Sequence, residues 1–295
     1  MQTTDIPRVL ALHRPEADAP QCPVVLDSPH SGTDYPDDFG TILSPALYRR
    51  AEDTHIGALY DHAPAQGAVL LEALFPRVYI DPNRSLDDLD PALLAEPWPT
   101  PLSPSVKTQN GQGLIWRTCP TWDAALDLYD RRLTVAEVRH RIETYFQPYH
   151  AALKAELDAA VERFGVVYHL DCHSMPSVST PMSPEGPGVT RPDFTLGDRH
   201  GTTCDPAFTE LVRATLAGLG YRVTVNDPYA GVELVRAYAD PAQGRHALQV
   251  EISRALYMDE DSFAPNGGYA ALKADLERLV TRVCAYVREQ ARAST

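Results

Sequence analysis

Short apolar runs alternate with longer amphipathic stretches along this chain of 295 residues. Short apolar runs are typical of buried strands, and apolar residues that recur every three or four positions are typical of helices. Strands are predicted over residues 24–26, 69–71, 78–80, 166–170, 221–225 and 247–252. Because these strands alternate with helical stretches, the pattern predicts an α/β protein.

The clearest helix is predicted to begin after Thr134, because Glu137 follows three residues later with the spacing of a capping box. Its apolar stripe continues to Gly165, a residue type common at helix ends, and Pro148 within the stripe predicts a kink or a split. Further helices are predicted over residues 45–63, 205–220 and 269–291.

Two proline-dense segments, residues 91–120 and 175–192, interrupt the alternation. Ordered segments of this length are usually functional loops rather than simple connections, so we expect them to act as lids or walls of a site. Since no linker, repeat or block of charge divides the chain, residues 1–295 are predicted to form a single domain.

The chain is strongly acidic, with 40 Asp and Glu residues against 26 Lys and Arg residues, a net charge of -14 and a pI ≈ 5.1. This balance argues against a nucleic-acid-binding protein, whose affinity comes mainly from contacts of Lys and Arg with phosphates. It also raises the question of how an anionic ligand would be held, because the overall field repels it.

Cysteine usage and the first residues of the chain favour a cytoplasmic protein. The 5 cysteines form no CxxC pair, and their odd number favours a reducing compartment over a disulfide scaffold. Residues 1–20 contain several charged residues and no apolar segment of a signal peptide. No apolar run reaches the roughly 18 residues that would indicate a membrane span, so no membrane partner is expected.

Four polar clusters carry candidate chemistry, and three of them lie at the ends of predicted strands, where open α/β sheets bind their ligands. They are residues 28–32 with His30, residues 52–55 with Glu52 and Asp53, residues 171–174 with His173, and Glu251. Two imidazoles and two carboxylates are the ingredients of a catalytic zinc site, with three ligands and one carboxylate as the base.

The residues alone leave another interpretation open. Each histidine can be a hydrogen-bonded structural residue, and the carboxylates at 52–53 can be solvated on a helix. Glu251 is more informative, because it falls within an apolar run and an unpaired buried carboxylate is costly.

The order of several motifs resembles that of N-formylglutamate amidohydrolases over about residues 24–260. The motifs are SPHSG at 28–32, VYIDPNR at 78–84, LDCHS at 170–174, LGDRHG at 196–201, LQVEI at 248–252 and YMDE at 257–260. The family is similar in fold to zinc carboxypeptidases and aspartoacylases, the phosphorylase/hydrolase-like fold. This implies a three-layer α/β/α domain around a central mixed sheet.

The resemblance also implies one Zn²⁺ per chain, or another divalent metal. It makes His30, Asp53 and His173 the metal ligands and Glu251 the general base. Asp53 is preferred to Glu52 because the family's acidic residue lies two positions before a histidine, as Asp53 does, and Glu52 remains the alternative.

Three residues are implied as substrate-binding. Arg84 is the candidate clamp for a substrate carboxylate, which its planar guanidinium binds in bidentate fashion. Asn83 would hydrogen-bond the same group. Arg236 follows residues 226–231, which resemble a substrate-pocket loop of the family.

The implied activity is zinc-dependent hydrolysis of N-formyl-L-glutamate to formate and L-glutamate, as in histidine degradation. The substrate is then a small anionic N-acyl amino acid. Ala230 stands where family members commonly have a lysine, and Val232 where they have a second glycine, so two alternatives stay open. They are a zinc deacylase or carboxypeptidase-like hydrolase of another N-acyl amino acid, and a non-catalytic carboxylate-binding relative.

Overall fold

A mixed sheet with helices on both faces forms the centre of the protein in a computed structural model, which describes residues 2–121, 124–181, 183 and 185–293. The strands are β1 (Gln2–Ile6), β2 (Leu10–Arg14), β3 (Val24–Ser28), β4 (Val69–Ala73), β5 (Thr118–Pro120), β6 (Ala125–Asp127), β7 (Val167–Met175), β8 (Phe194–Gly197), β9 (Val223–Val225) and β10 (Arg245–Ser253). The helices are α1 (Pro45–Tyr48), α2 (Ile56–Leu59), α3 (Val106–Gln109), α4 (Val135–Arg141), α5 (Gln147–Phe164), α6 (Pro206–Gly218), α7 (Glu233–Tyr238) and α8 (Tyr269–Ala293).

The sheet has eight strands in the order β1-β2-β4-β3-β7-β10-β8-β9, and β5 pairs with β6 in a separate hairpin. The central strands β4, β3, β7 and β10 are parallel to one another. Antiparallel pairs join β1 to β2, β2 to β4, and β8 to β10. Parallel neighbours need crossover connections, which place helices on the faces of the sheet.

Each face of the sheet has its own apolar core, because alternate residues of a strand point to opposite sides. Val25 of β3 lies in the cluster that contains Leu153 of α5. Val24 lies in the other cluster, with Val212 of α6 and Leu276 of α8. The sheet therefore lies between two helical layers, which confirms the predicted α/β/α architecture.

The long predicted helix after Thr134 is confirmed, including its start and its interruption. The Thr134 hydroxyl accepts from the N–H of Glu137, and the Glu137 carboxylate accepts from the N–H of Thr134, which completes the capping box. A π-helical segment (Ile142–Phe146) separates α4 from α5 just before Pro148. Proline has no N–H to donate to the preceding turn, which accounts for a break at this point. Gly165 ends α5 with a φ of 73°.

Two predicted elements are wrong in whole or in part. Residues 78–80 form a turn rather than a strand, and they are apolar because they are buried against the α5 side of the sheet. The helix predicted over 45–63 is broken, since Glu52 has an extended backbone with a ψ of 148° and only α1 and α2 remain as α-helix. The helices predicted near α6 and α8 are confirmed.

Among the described residues, no helix combines the length and the apolar character that a membrane crossing requires.

Candidate active site

Two central strands direct polar side chains to the same face of the sheet. Leu170 and Cys172 of β7 pack into the cluster below α6 and α8, so Asp171 and His173 point to the opposite face. Glu251 of β10 is the parallel register partner of His173 and therefore points to the same side. The alternation of the strands thus places a carboxylate beside an imidazole.

Two loops complete the group. His30 lies two residues beyond β3, and the N–H of Asp53 donates to the His30 carbonyl at 3.0 Å, which joins the two loops. The loop after β3 lies against the end of β4 because residue 32 is glycine. A Cβ on Gly32 would lie 2.3 Å from the carbonyl carbon of Leu74, which is too close for any side chain.

The two oxygens of the buried Asp53 carboxylate have different partners. Oδ2 lies 3.3 Å from Nδ1 of His30 and 3.0 Å from Nδ1 of His173. Oδ1 accepts from the Ser174 hydroxyl and the Arg254 guanidinium, both at 3.1 Å. Burial opposes the charge, but the hydrogen bonds with His173 and His30 outweigh it and hold the pKa of Asp53 well below its ordinary value.

Both imidazoles use their other nitrogen on a carboxylate. Nε2 of His30 lies 2.7 Å from Oδ1 of Asp81, and Nε2 of His173 lies 2.7 Å from Oδ1 of Asp171. In a neutral ring that carries its proton on Nε2, Nδ1 keeps its lone pair and can bind a metal ion instead of donating to Asp53. Metal-bound histidines commonly make this carboxylate contact, which fixes the tautomer and the orientation of the ring.

The donor set therefore fits a metal ion. One ligand atom from each of His30, Asp53 and His173 lies within 4.8 Å of the others, and all three side chains are buried. Two imidazole nitrogens and one carboxylate oxygen are the donors that zinc takes in hydrolytic sites, with a further position left for water or substrate. These three residues can hold a divalent metal.

Glu251 lies in the same cavity and is 8 % exposed. Its Oε1 accepts from the side-chain amide of Gln249 at 2.8 Å. Burial raises the pKa of Glu251 to about 7, although the neighbouring His173 opposes the shift. A carboxylate that titrates near neutral pH suits a group that both accepts and returns a proton.

The cavity beside these residues has a volume of about 160 Å³. Six cationic and two anionic side chains contribute to its lining: Arg50, Arg77, Arg84, Lys107, Arg191 and Arg254, and Asp53 and Glu251. Although the whole chain is acidic, this cavity is cationic and is suited to an anionic ligand.

Asn83 and Arg84, which the resemblance implies as substrate-binding residues, lie in the cavity wall, but their polar atoms are largely engaged. The Asn83 amide nitrogen is 3.0 Å from Nε2 of His173, and its oxygen accepts from the N–H of Leu234 at 2.9 Å. The buried Arg84 donates to the carbonyl oxygens of Gln112 and Asn83, and it lies 4.0 Å from the Asp81 carboxylate. The Asp88 carboxylate also lies 4.0 Å from Arg84, so two carboxylates are near this guanidinium, and neither is closer than 4.0 Å.

Two other candidates lie away from His30, Asp53 and His173. Arg236 on α7 pairs with Glu233 at 2.7 Å, has a side chain that is 54 % exposed, and lines a neighbouring surface cavity. Glu52 accepts hydrogen bonds from Tyr35 and Arg49 instead of pointing at the histidines. The structure thus brings Asp53 to His30 and His173, and it does not bring Glu52 or Arg236 there.

Other cavity residues were missed by sequence reasoning. Arg77 donates to Asp81 at 2.9 Å and lies over the ring of Trp116. Arg254 binds the Asp53 carboxylate and donates to the carbonyl oxygen of Glu52 at 2.7 Å, so it holds the loop that carries Asp53. A charged residue directly after the apolar run of β10 was the one available signal for Arg254.

The two proline-dense segments contribute walls to the cavity. Lys107, Gln112 and Trp116 come from residues 91–120, and Thr180 and Arg191 come from residues 175–192. Whether either segment also closes as a lid stays a prediction.

Comparison with known proteins gives a consistent result. The family model for N-formylglutamate amidohydrolase matches residues 22–258. An N-formylglutamate deformylase of Pseudomonas putida is 30% identical over 86% of this chain and 86% of its own length, and that of Pseudomonas aeruginosa is 30% identical over 91% and 95%.

Solved structures resemble the chain over nearly its whole length. The crystal structure of an N-formylglutamate amidohydrolase from Ralstonia eutropha JMP134 has 48% sequence identity and a TM-score of 0.88, over 96% of this chain and 99% of that one. A protein of Agrobacterium tumefaciens with 20% identity and a TM-score of 0.66 shares the fold.

Proposed function

This chain belongs to the N-formylglutamate amidohydrolase family, and from this premise we propose that it hydrolyses N-formyl-L-glutamate to formate and L-glutamate. The proposed cofactor is one Zn²⁺ held by His30, Asp53 and His173, and the proposed base is Glu251. The substrate is then a small dicarboxylate that carries a linear amide.

One observation carries the proposal. Nδ1 of both histidines and Oδ2 of Asp53 converge in a buried cluster, while Nε2 of each ring lies 2.7 Å from a carboxylate oxygen. Hydrogen-bonded histidines with a purely structural role would not need to direct their remaining nitrogens at one shared oxygen. Bound zinc would polarise the formyl carbonyl and lower the pKa of a bound water from about 15.7 to about 7.

Glu251 then moves the proton. It faces the cavity beside His173, where its carboxylate takes the proton of the attacking water and later delivers it to the amine nitrogen of the leaving glutamate. Gln249 holds one carboxylate oxygen by its side-chain amide, which leaves the other free for the proton. The products, formate and glutamate, carry three carboxylates between them, and the cationic lining of the cavity suits such anions.

Arg84 is the proposed partner of the substrate α-carboxylate, and Asn83 supports it. Arg84 is buried in the wall next to Asp81, the carboxylate that holds His30, so it lies close to the metal ligands. The Asn83 oxygen accepts from the N–H of Leu234, and its amide nitrogen lies 3.0 Å from Nε2 of His173, which supports a positioning role beside this proposed metal ligand. Arg236 lines the neighbouring surface cavity and is proposed to act there.

The test compares formate release from N-formylglutamate and from N-formyl dipeptides with acetate release from N-acetylaspartate. The proposal predicts that N-formylglutamate has the highest kcat/KM, by at least tenfold. A preference for N-acetylaspartate or for the peptides would contradict the substrate and favour a different deacylase. Absence of turnover on all three, with zinc bound, would favour a non-catalytic relative.

A further inference from the structure

Lys107 is a cavity-lining cation without an anionic partner. Its side chain lines the cavity together with His30 and Glu251. No carboxylate lies within 4.0 Å of its Nζ among the residues that the structure describes, whereas Lys154 and Lys273 both form ion pairs. Lys107 therefore leaves a positive charge in the wall that the protein itself does not neutralise.

Most of the other cations in the cavity are already held by carboxylates. The pairs are Arg77 with Asp81 at 2.9 Å, Arg191 with Glu185 at 2.7 Å, and Arg254 with Asp53 at 3.1 Å. These contacts fix the guanidinium groups in place and offset their charge. A ligand carboxylate gains most from a cation whose charge is not yet offset, because burying an unpaired charge is costly.

Three separate segments meet around Lys107. Its Nζ lies 5.9 Å from the centroid of the Tyr229 ring, and the guanidinium carbon of Arg191 lies 5.0 Å from the same ring. Lys107 is on α3, Tyr229 precedes α7, and Arg191 precedes β8. An aromatic ring between two cations gives this wall an apolar surface for carbon atoms and a positive charge for a carboxylate.

The electrostatic surroundings agree with this geometry. Burial lowers the pKa of Lys107 to about 8, and the nearby Arg84, Arg77 and Arg191 add to the shift. A bound carboxylate would reverse part of this effect, so the charge of Lys107 and the binding of an anion support each other.

We propose that Lys107, flanked by Tyr229 and Arg191, binds the side-chain carboxylate of the substrate and thereby selects dicarboxylate N-acyl amino acids. The proposal rests on the proposed function, and it names the residue that binds the side chain of the substrate. The α-carboxylate is one carbon away from the scissile amide, and Arg84 lies beside the carboxylate that holds His30. The side-chain carboxylate reaches two carbons further, toward the wall formed by α3.

The test compares Lys107→Met with the wild type on N-formylglutamate and on N-formylglutamine, in which the side-chain charge is absent. Because Lys107→Met removes a hydrogen bond between two charged groups, we expect kcat/KM on N-formylglutamate to fall by about 10- to 100-fold, mainly through a higher KM. The loss on N-formylglutamine should be less than about threefold. Lys154→Met, at a lysine that is 63% exposed on α5, is the matched control and should change neither substrate.

Equal losses on both substrates, or no loss on either, would overturn the proposal. N-formylisoglutamine, which keeps the side-chain charge and lacks the α-carboxylate, gives a further check. If the loss is small for this substrate and large for N-formylglutamine, Lys107 binds the α-carboxylate and the assignment is wrong.

Calorimetry separates this proposal from the proposed function. If the zinc-loaded wild type does not hydrolyse N-formylglutamate, the proposed function fails, and glutarate is then titrated into the wild type and Lys107→Met. Binding weaker by about 10-fold or more in the variant would still support the carboxylate subsite. Equal binding would overturn it.

Discussion

The two carboxylate oxygens of Asp53 make different contacts. Oδ1 is held by Ser174 and Arg254, so Oδ2 is left facing Nδ1 of both histidines. Removal of either partner of Oδ1 would free the carboxylate to rotate. In metal sites, buried neighbours that hydrogen-bond a ligand side chain fix its orientation and commonly increase the affinity for the metal.

At residue 251, a change of one atom type tests the proton transfer. Glu251→Gln keeps the volume and the hydrogen bond from Gln249 but removes the base, so kcat should fall by about 10²–10⁴-fold. Bound zinc should stay at the wild-type level, because Glu251 is outside the cluster formed by His30, Asp53 and His173, the three proposed ligands. The measurement is formate release together with metal content.

Glu277→Gln on the exposed side of α8 is the matched control for this substitution and should leave turnover unchanged. Near-normal kcat in Glu251→Gln would remove Glu251 from the proposed mechanism. Loss of zinc from that variant would instead make Glu251 a ligand.

At the residue scale, the sequence allowed prediction of the residues that stand inside motifs. His30, Asp53 and His173 were found through a resemblance, and the structure brings them together. Lys107 and Arg191 could not be found, because each comes from a proline-dense segment far away in the chain and their common wall exists only after folding.

The parallel strands β3, β7 and β10 form the element on which the site is built. Their register aligns Glu251 with His173 and Asp27 with Asp171, so buried polar groups occupy one face of the central sheet. Strands buried on both faces are rigid, and a site on such elements is held more accurately than one on loops alone.

The central strands and the edge strand β9 were predictable from their apolar runs, whereas the edge strand β1 was not. The apolar runs in β3, β4, β7 and β10 mark strands that are covered on both faces. β1 is exposed along its whole length and carries no apolar alternation, so its sequence gives no signal. Residues 78–80 were misread because burial in a turn produces the same apolar run as burial in a strand.

Gly32 offers a test of how the loop after β3 positions His30. In Gly32→Ala the new Cβ would meet the backbone of Leu74 at 2.3 Å, so the loop must move. We expect a loss of about 1–3 kcal/mol in the free energy of unfolding, as for other overpacked sites, and weaker zinc binding. Chemical denaturation and a zinc competition titration measure the two effects.

Gly218→Ala at the end of α6 is the matched control, since a Cβ there meets no atom within 4 Å. It should leave both the stability and the zinc affinity close to those of the wild type. Wild-type zinc binding by Gly32→Ala would show that the position of His30 does not depend on this close approach.

On the scale of the whole molecule, charge is distributed unevenly. The chain has a net charge of -14, yet six cations and two carboxylates line the cavity. Charges on the outer surface are screened beyond a Debye length of about 8 Å at physiological salt, while those inside the cavity are screened less. The cavity therefore decides the binding of an anion, which answers the question that the acidic composition raised.

The pH dependence of substrate binding follows from Lys107. Its pKa is lowered to about 8 by burial first and then by Arg84, Arg77 and Arg191, while the Glu251 carboxylate opposes the shift. Below pH 8 the free enzyme carries the charged ammonium, and above it the charge is lost. We therefore expect kcat/KM for N-formylglutamate to fall as the pH rises through about 8.

Lys107→Arg gives the check on this assignment, because a guanidinium stays charged throughout the range. In this variant the fall of kcat/KM at alkaline pH should move to higher pH or disappear, whatever the absolute activity of the variant. Alkaline limbs at the same pH in both proteins would mean that another group causes the fall.

Titration of zinc into the chelator-treated protein, with formate release from N-formylglutamate recorded, tests whether His30, Asp53 and His173 hold a zinc ion. We expect no activity without metal and a linear return of activity that ends at one zinc per chain. The His173→Ala variant should not bind zinc to this stoichiometry. Full activity after complete removal of metal, or wild-type zinc binding by His173→Ala, would show that these three residues do not form the metal site.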